Sequence, residues 1–268
     1  MIIRDFLKRI WLKLSPSYRV SKRIEAQVEN LQNKIPFISD EIKSLETTIN
    51  QKYEKNIQEY INSLNHCRHM YKRGRDEDID NSIDYFRLSS LELMASKFKE
   101  EKTTGECAEL GVFRGEFARL INKYFPDRIL YLFDTFEGFD IRDTEFDDEK
   151  NYRKAIHDFS HTSVKSVLDK MPYPEKCIVK KGYFPESIND DILPEFCFVS
   201  IDVDLYKPIY SGLEFFYKKL VKGGVIFVHD YENCDYEGVK QAVKDFSKAY
   251  DISYFIMSDI CGSAVFIK

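Results

Sequence analysis

The sequence predicts an α/β chain: a doubly wound, mostly parallel seven-stranded sheet that ends in an antiparallel hairpin, preceded by a long helical extension. Three observations carry this. From residue 106 onward, short apolar runs alternate with helix-like segments, the pattern of a parallel sheet covered by helices on both faces. The last two runs, 252–257 and 263–267, are joined only by 258–262, too short for a parallel crossover, so they must pair antiparallel. Residues 24–64 instead carry an apolar side chain every three or four positions, the stripe of a helix that pairs with another helix.

Taken in order, residues 1–14 place Ile2, Ile3, Phe6, Leu7, Ile10, Trp11 and Leu14 at helical spacing, with Arg4, Lys8, Arg9 and Lys13 on the remaining arc. Such a basic amphipathic helix suits a membrane surface, or equally a protein face. Ser15-Pro16-Ser17 is expected to break it. Then Ile24, Val28, Leu31, Ile35, Ile38, Ile42, Leu45 and Ile49 recur at alternating steps of four and three. After a shift of four come Tyr53, Ile57, Tyr60 and Leu64, a stutter in a coiled-coil seam. Pro36 lies inside this stretch and is expected to kink or split the helix. One helix cannot bury the stripe alone, so self-association is the leading reading, with folding back on the rest of the chain as the alternative. His66 and His69 read as solvated residues, because no second ligand cluster accompanies them. The charged stretch 71–80, with Gly74, marks the boundary, so the chain divides into 1–14, 15–78 and 79–268.

Charge follows the same division. The chain carries −5, but residues 1–23 hold seven cations against Asp5, leaving −11 for the remainder. The body therefore has no general attraction for nucleic acid. Six cysteines without C-x-x-C pairing read as small buried residues of a reducing compartment, which points to the cytoplasm. No run reaches the ~18 apolar residues of a spanning helix, and 1–14 lacks a signal-peptide core.

Residues 81–102 read as a helix with Ile83, Phe86, Leu91, Met94 and Phe98 inward. Strands are predicted at 106–112, 128–134, 176–181, 195–203, 224–229, 252–257 and 263–267. Helices are predicted at 115–124, 149–171 (broken), 185–189, 207–221 and 236–249. The first strand runs into Glu109-Leu-Gly111-Val-Phe-Arg-Gly115, a G-x-x-x-G turn that opens a helix, and the second ends on Asp134. The glycines allow close approach of backbone and ligand, and an acid about 20 residues on is placed for ribose hydroxyls. Capping of its own turn is the plainer role for Asp134. The spacing is not G-x-G-x-x-G, and Glu109 beside the turn would repel a pyrophosphate. A cationic, phosphate-free ligand fits better, which favours S-adenosylmethionine over NAD.

In open α/β sheets ligands bind beyond the carboxyl ends of the strands. The acids there are Glu109, Asp134, Asp202 and Asp204, and the pair His229-Asp230. If strands four and five are neighbours, Asp202 faces His229-Asp230 across a short gap, and such hard ligands would hold Mg2+ and activate a substrate hydroxyl. His229 is open between metal ligand, general base and supporting group. Asp204 reads as a cap for the helix that begins near Tyr206. Residues 140–173 read as a lid, and His157 and His161 as substrate contacts or surface.

Together these stretches resemble the macrocin O-methyltransferase (TylF-type) family of class I, Rossmann-like methyltransferases. They are 108–115, 130–139, 181–187, 201–206 and 223–231, and the resemblance spans about 80–268. It implies an S-adenosylmethionine-dependent, Mg2+-dependent O-methyltransferase acting on a hydroxyl of a sugar or glycan precursor. Asp202 and Asp230 would be metal ligands, with His229 where the family often carries a further Asp. Asp202 would also be the general base, with His229 as the catalytic alternative. Glu109, Gly111, Gly115, Asp134, Thr135, Gly182, Tyr183 and Phe184 would line the donor. Two other readings are a metal-free enzyme using His229 as base, and a degenerate domain serving a coiled-coil scaffold. A basic start could hold the protein at the inner face of the membrane.

Overall fold

The computed structural model describes residues 4, 5, 7, 9, 16–71, 84–155, 157–188 and 193–268, with the side chains of 16–71 described in part. The chain forms two compact units, Met1–Arg73 and Gly74–Lys268. In the first, α1 (Pro16–Tyr71) is a single helix of 56 residues, ~84 Å long at 1.5 Å per residue. Pro16 starts this helix, where its missing N–H is no loss, and the residues just before it lie outside the described ones. The helix is also not split at Pro36. One proline removes one backbone hydrogen bond and adds one local clash, ~3 kcal/mol, and the many turns on either side outlast it. Ile24, Val28, Leu31, Ile35, Ile42, Leu45, Ile49 and Tyr53 stand 45–66% exposed along this helix. Of the basic segment 1–14, Arg4, Asp5, Leu7 and Arg9 are helical and exposed. The rest of that segment, the linker 72–80 and the side chains of His66 and His69 lie outside the described residues. Among the described residues no helix is long and apolar enough to cross a membrane.

The second unit begins with α2 (Tyr85–Glu101), which closes on Lys102 in the left-handed conformation. Its inward face differs from the predicted one. Tyr85, Arg87, Leu88, Leu91 and Phe98 are buried, whereas Phe86 is exposed and Met94 half-buried; Ile83 is not among the described residues. Then come β1 (Glu106–Leu110), α3 (Glu116–Tyr124) and β2 (Leu130–Asp134). Next are α4 (Ile141–Glu149), the short α5 (Val164–Leu168), β3 (Cys177–Lys181) and β4 (Phe196–Ile201). The chain ends with α6 (Tyr206–Lys219), β5 (Leu220–Val228), α7 (Glu237–Tyr250), β6 (Phe255–Met257) and β7 (Ser263–Ile267).

The seven strands form one sheet in the order β3-β2-β1-β4-β5-β7-β6. All neighbours are parallel except β7, which runs antiparallel to both β5 and β6. The expected terminal hairpin is therefore present, and β4 and β5 are neighbours. Three local expectations are corrected. The acid-rich stretch after Asp140 is itself helical, because the Asp140 side chain caps it by accepting from Arg142 N. Most of the predicted helix 149–171 is irregular, with only α5 formed. And β5 begins at Leu220, four residues earlier than read, so α6 ends at Lys219.

Every residue of β4 is buried, as a central parallel strand requires. A register shift after Phe196 lets near neighbours serve both faces. Phe196 packs edge-on to Phe216 of α6, whereas Phe198 stacks with Phe125 at the end of α3. Cys107 and Cys197 are buried thiols 4.0 Å apart on adjacent strands, as expected of small core residues, but Cys234 is exposed.

Candidate active site

Strand register assembles the site. Leu110 pairs with Phe133 and Ile201, and Ile201 with Val228, so four strands end at one level. The residues that follow, Gly111, Asp134, Asp202 and His229, continue the ladder: Gly111 N donates to Phe133 O, Asp202 N to Leu110 O, and His229 N to Ile201 O. They border a cleft of about 340 Å3, also lined by Arg87, Glu109, Tyr183, Phe184, Asp204 and Asp230. This is the switch point where β1 and β4 lead to opposite sides of the sheet.

Gly111 has φ +88°, and a Cβ there would lie 2.0 Å from the Asp202 carbonyl oxygen. The glycine is thus needed for one strand end to cross another, a reason distinct from ligand approach. Gly115, at φ +79°, starts α3 and would strike Val167 of α5. Asp134 takes the plainer role expected of it and a further one. Its Oδ2 accepts from Val112 N and Phe113 N at 2.7 and 2.8 Å, and its Oδ1 from Phe136 N at 2.6 Å. It therefore braces the glycine turn as well as its own, while still bordering the cleft. Thr135 Oγ1 donates to Gly138 O within the same turn.

On the far wall, Gly182 continues β3 by donating its N–H to Asp134 O. The Tyr183 hydroxyl donates to Asp143 Oδ1 at 3.0 Å, and the Arg142 guanidinium lies 3.6 Å over its ring. Burial raises the Asp143 carboxyl to about 6 despite that hydrogen bond. Phe184 is a core residue between Phe133 and Phe216 that turns one side to the cleft.

Glu109 is 1% exposed, and its Oε2 has no partner among the described residues. Burial pushes its carboxyl well up; nearby Arg87 opposes this, and the charges of Asp202 and Asp134 reinforce it. A buried acceptor with no donor, beside a cleft, favours a cationic ligand.

The acids at β4 and β5 converge. Oxygens of Asp202, Asp204 and Asp230 all lie within 4.8 Å of one another. His229 Nδ1 sits 3.0 Å from Asp230 Oδ2 and 3.3 Å from Asp202 Oδ1. Burial would lower the imidazole, but Asp202 above all outweighs it and raises His229 to about 10. Burial would likewise raise Asp202, yet His229 and Arg87 hold it well below the usual carboxylate range. Asp204 goes the other way: burial first, then the charges of Asp202 and Asp230, push it well up. Asp204 is not a helix cap. The backbone turns left-handed there, at φ 57°, and its carboxyl joins the other two acids. Asp147 of α4 caps α6 instead, accepting Tyr206 N at 3.2 Å on both oxygens.

Sequence reading missed Arg87, whose Nη2 donates to Asp202 Oδ2 at 3.0 Å from a helix 115 residues upstream. The lid is partly as expected. Asp140, Asp143, Phe139 and Phe159 line the cleft, Lys154 N donates to Asp235 O, and Phe139 N to Asp158 O. His157 and His161 are exposed and belong to no metal-competent cluster among the described residues.

A sheet of this order with β7 reversed, a glycine turn at the switch point and acids at three strand ends defines the class I methyltransferase architecture. The comparisons agree. The model of the macrocin-O-methyltransferase (TylF) family matches residues 27–268, beginning inside α1 and so earlier than the expected residue 80. The O-methyltransferase NovP superposes with a TM-score of 0.56 at 19% identity, over 69% of this chain and 80% of its own. The calicheamicin methyltransferase CalS11 gives 0.55 at 15% identity, over 78% and 91%. An O-methyltransferase from Klebsiella pneumoniae gives 0.51 at 12% identity, over 79% and 98%. No curated protein matches the sequence. The chain belongs to the macrocin-O-methyltransferase (TylF) family, and is an S-adenosylmethionine-dependent O-methyltransferase.

Proposed function

We propose that the enzyme methylates a hydroxyl of a sugar or glycan precursor, with Mg2+ bound among Asp202, Asp230 and His229. The observation that carries this is the convergence of Asp202, Asp204 and Asp230 at the cleft end. Hard carboxylate oxygens suit Mg2+, and the suppressed ionisation of Asp204 marks a surplus of negative charge that a divalent cation would relieve. His229 would become a ligand on losing its proton. When bound, the metal would acidify the acceptor hydroxyl and the sulfonium would supply the activated methyl group.

The chain's own residues divide the remaining work. Asp202, ionised, accepts the hydroxyl proton. Glu109 offers its unpartnered oxygen to the cationic donor, while Gly111, Asp134, Thr135, Gly182, Tyr183 and Phe184 shape the donor wall; Gly115, expected there too, does not line the cleft but packs α3 against Val167. Phe113, Phe139 and Phe159 give the cleft apolar faces, and Asp140 and Asp143 give it acceptors, a combination suited to a sugar's C–H faces and hydroxyls. A metal-free route with His229 as base is less favoured, because an imidazole raised to about 10 carries its proton at neutral pH. The test is methyl transfer from S-adenosylmethionine to a panel of nucleotide sugars, followed by mass spectrometry. Asp202→Ala should abolish transfer and EDTA suppress it. Activity that survives both removes the metal-assisted reading.

The exposed seam of α1 supports self-association of the chain as a coiled coil, and the basic start 1–14 supports a cytoplasmic enzyme held at the inner membrane face. Co-sedimentation with anionic vesicles, with and without residues 1–14, checks the second point.

A further inference from the structure

We propose that Arg87 is a positioning residue for methyl transfer, fixing the carboxylate of Asp202 in one orientation at the acceptor end of the cleft. The inference rests on the reading of Asp202 given above and adds to it a residue from outside the sheet.

The guanidinium is held on several sides. Nη2 donates to Asp202 Oδ2 at 3.0 Å and to Ser200 Oγ at 3.2 Å, so one nitrogen is braced against Ser200 of β4 and against Asp202 just beyond its end. Its plane lies 3.8 Å from the centre of the Phe117 ring, in the first turn of α3. The side chain is 6% exposed. Taking Oδ2 leaves Oδ1 of Asp202 facing His229 Nδ1 at 3.3 Å, so each carboxylate oxygen has a separate task. Without that anchor the carboxylate can turn about its bond to Cβ, and the reacting oxygen loses its fixed direction.

Stability alone does not account for the arrangement. A buried ion pair is often no better for stability than an apolar pair of the same volume. This one also leaves Arg87 Nε buried without a partner among the described residues, which a purely structural contact would be expected to avoid. Lysine is no substitute: it keeps the charge but has neither the fork that spans Ser200 and Asp202 nor the plane that lies on Phe117.

The test uses the full chain as wild type, Arg87→Lys and Ser200→Ala. Affinity for S-adenosylhomocysteine is measured by calorimetry, and affinity for Mn2+ by electron paramagnetic resonance. All three proteins should bind S-adenosylhomocysteine equally well. Mn2+ binding should weaken about tenfold in Arg87→Lys, the usual scale for losing a group that orients a metal ligand, and by less in Ser200→Ala. Unchanged Mn2+ affinity in Arg87→Lys overturns the proposal; should that variant not fold, unchanged affinity in Ser200→Ala overturns it. A wild type that fails to bind S-adenosylhomocysteine overturns the functional reading instead. If the wild type binds S-adenosylhomocysteine but not Mn2+, crystal structures decide. An Asp202 carboxylate turned away in Arg87→Lys supports the proposal, and one left in place overturns it.

Discussion

Asp134, the last residue of β2, accepts the amide hydrogen of Val112 at 2.7 Å and so ties the turn after β1 to the end of the neighbouring strand. Asp134→Ala should therefore damage the fold as well as donor binding. Three backbone N–H groups lose a charged acceptor, and the expected loss is ~2–4 kcal/mol of unfolding free energy. Asp134→Asn should recover part of it, since its amide oxygen still accepts. Urea denaturation measures the loss; an alanine variant as stable as wild type would contradict the bracing role.

Glu109 makes donor binding a proton-coupled event. Burial pushes its folded-state carboxyl well above the ordinary range, toward the protonated form. A cation placed beside it favours the carboxylate, and binding should release up to one proton per donor, read by calorimetry in buffers of different ionisation enthalpy. Glu109→Gln should release none and bind S-adenosylmethionine at least about tenfold more weakly. Equal proton release in the two proteins rules the idea out.

Metal affinity should rise with pH. His229 is raised to about 10 and so carries a proton at neutral pH, and burial with the charges of Asp202 and Asp230 pushes Asp204 the same way, toward its protonated form. A divalent cation repels those protons, the metal-bound protein holds fewer of them, and raising the pH favours binding. The gain should be about tenfold per pH unit for each proton released. Mg2+ titrations between about pH 6 and about pH 9 give the slope directly, and a flat profile counts against the proposed ligands.

The α4 segment should be steadier in mild acid. Burial raises Asp143 and Asp147 to about 6 from an ordinary 3.8. Between those values the folded state binds more protons than the unfolded chain, so their contribution to stability is largest at the acid end and is lost as pH rises through about 6. Thermal denaturation of Asp143→Asn against wild type should show the pH dependence flattened in the variant. A variant curve parallel to that of wild type excludes Asp143 as a source.

For α1, the exposed seam predicts assembly. Ile35→Asp together with Ile42→Asp should weaken self-association by ~100-fold or more, seen by analytical ultracentrifugation, with the methyltransferase domain still folded. A wild-type chain that is monomeric at high concentration removes the coiled coil.

The strands, the final hairpin and the edge acids were legible because their signals are local. Alternating apolar runs set the strands, and a five-residue connection forces the final hairpin. Asp134, Asp202 and His229 could be placed because each directly follows an apolar run. Asp204 misled, since an acid two residues before a helix looks like its cap, whereas the cap comes from Asp147, 59 residues earlier in the chain. Arg87 was missed for a related reason: its partner Asp202 is remote in sequence. One signal was available, because Arg87, Leu91, Met94 and Phe98 share a helical stripe, and a cation inside an apolar stripe asks for a buried acid. Reading Phe86 as inward set the stripe one residue out of phase.

Because the carboxylate that closes the first turn of α6 belongs to the segment beside the cleft, displacing that segment and fraying that helix end are a single event. Tyr206 N–H then becomes a native clock. Its exchange with deuterated solvent would time how often the enzyme breathes, with no label attached and no acceptor in hand.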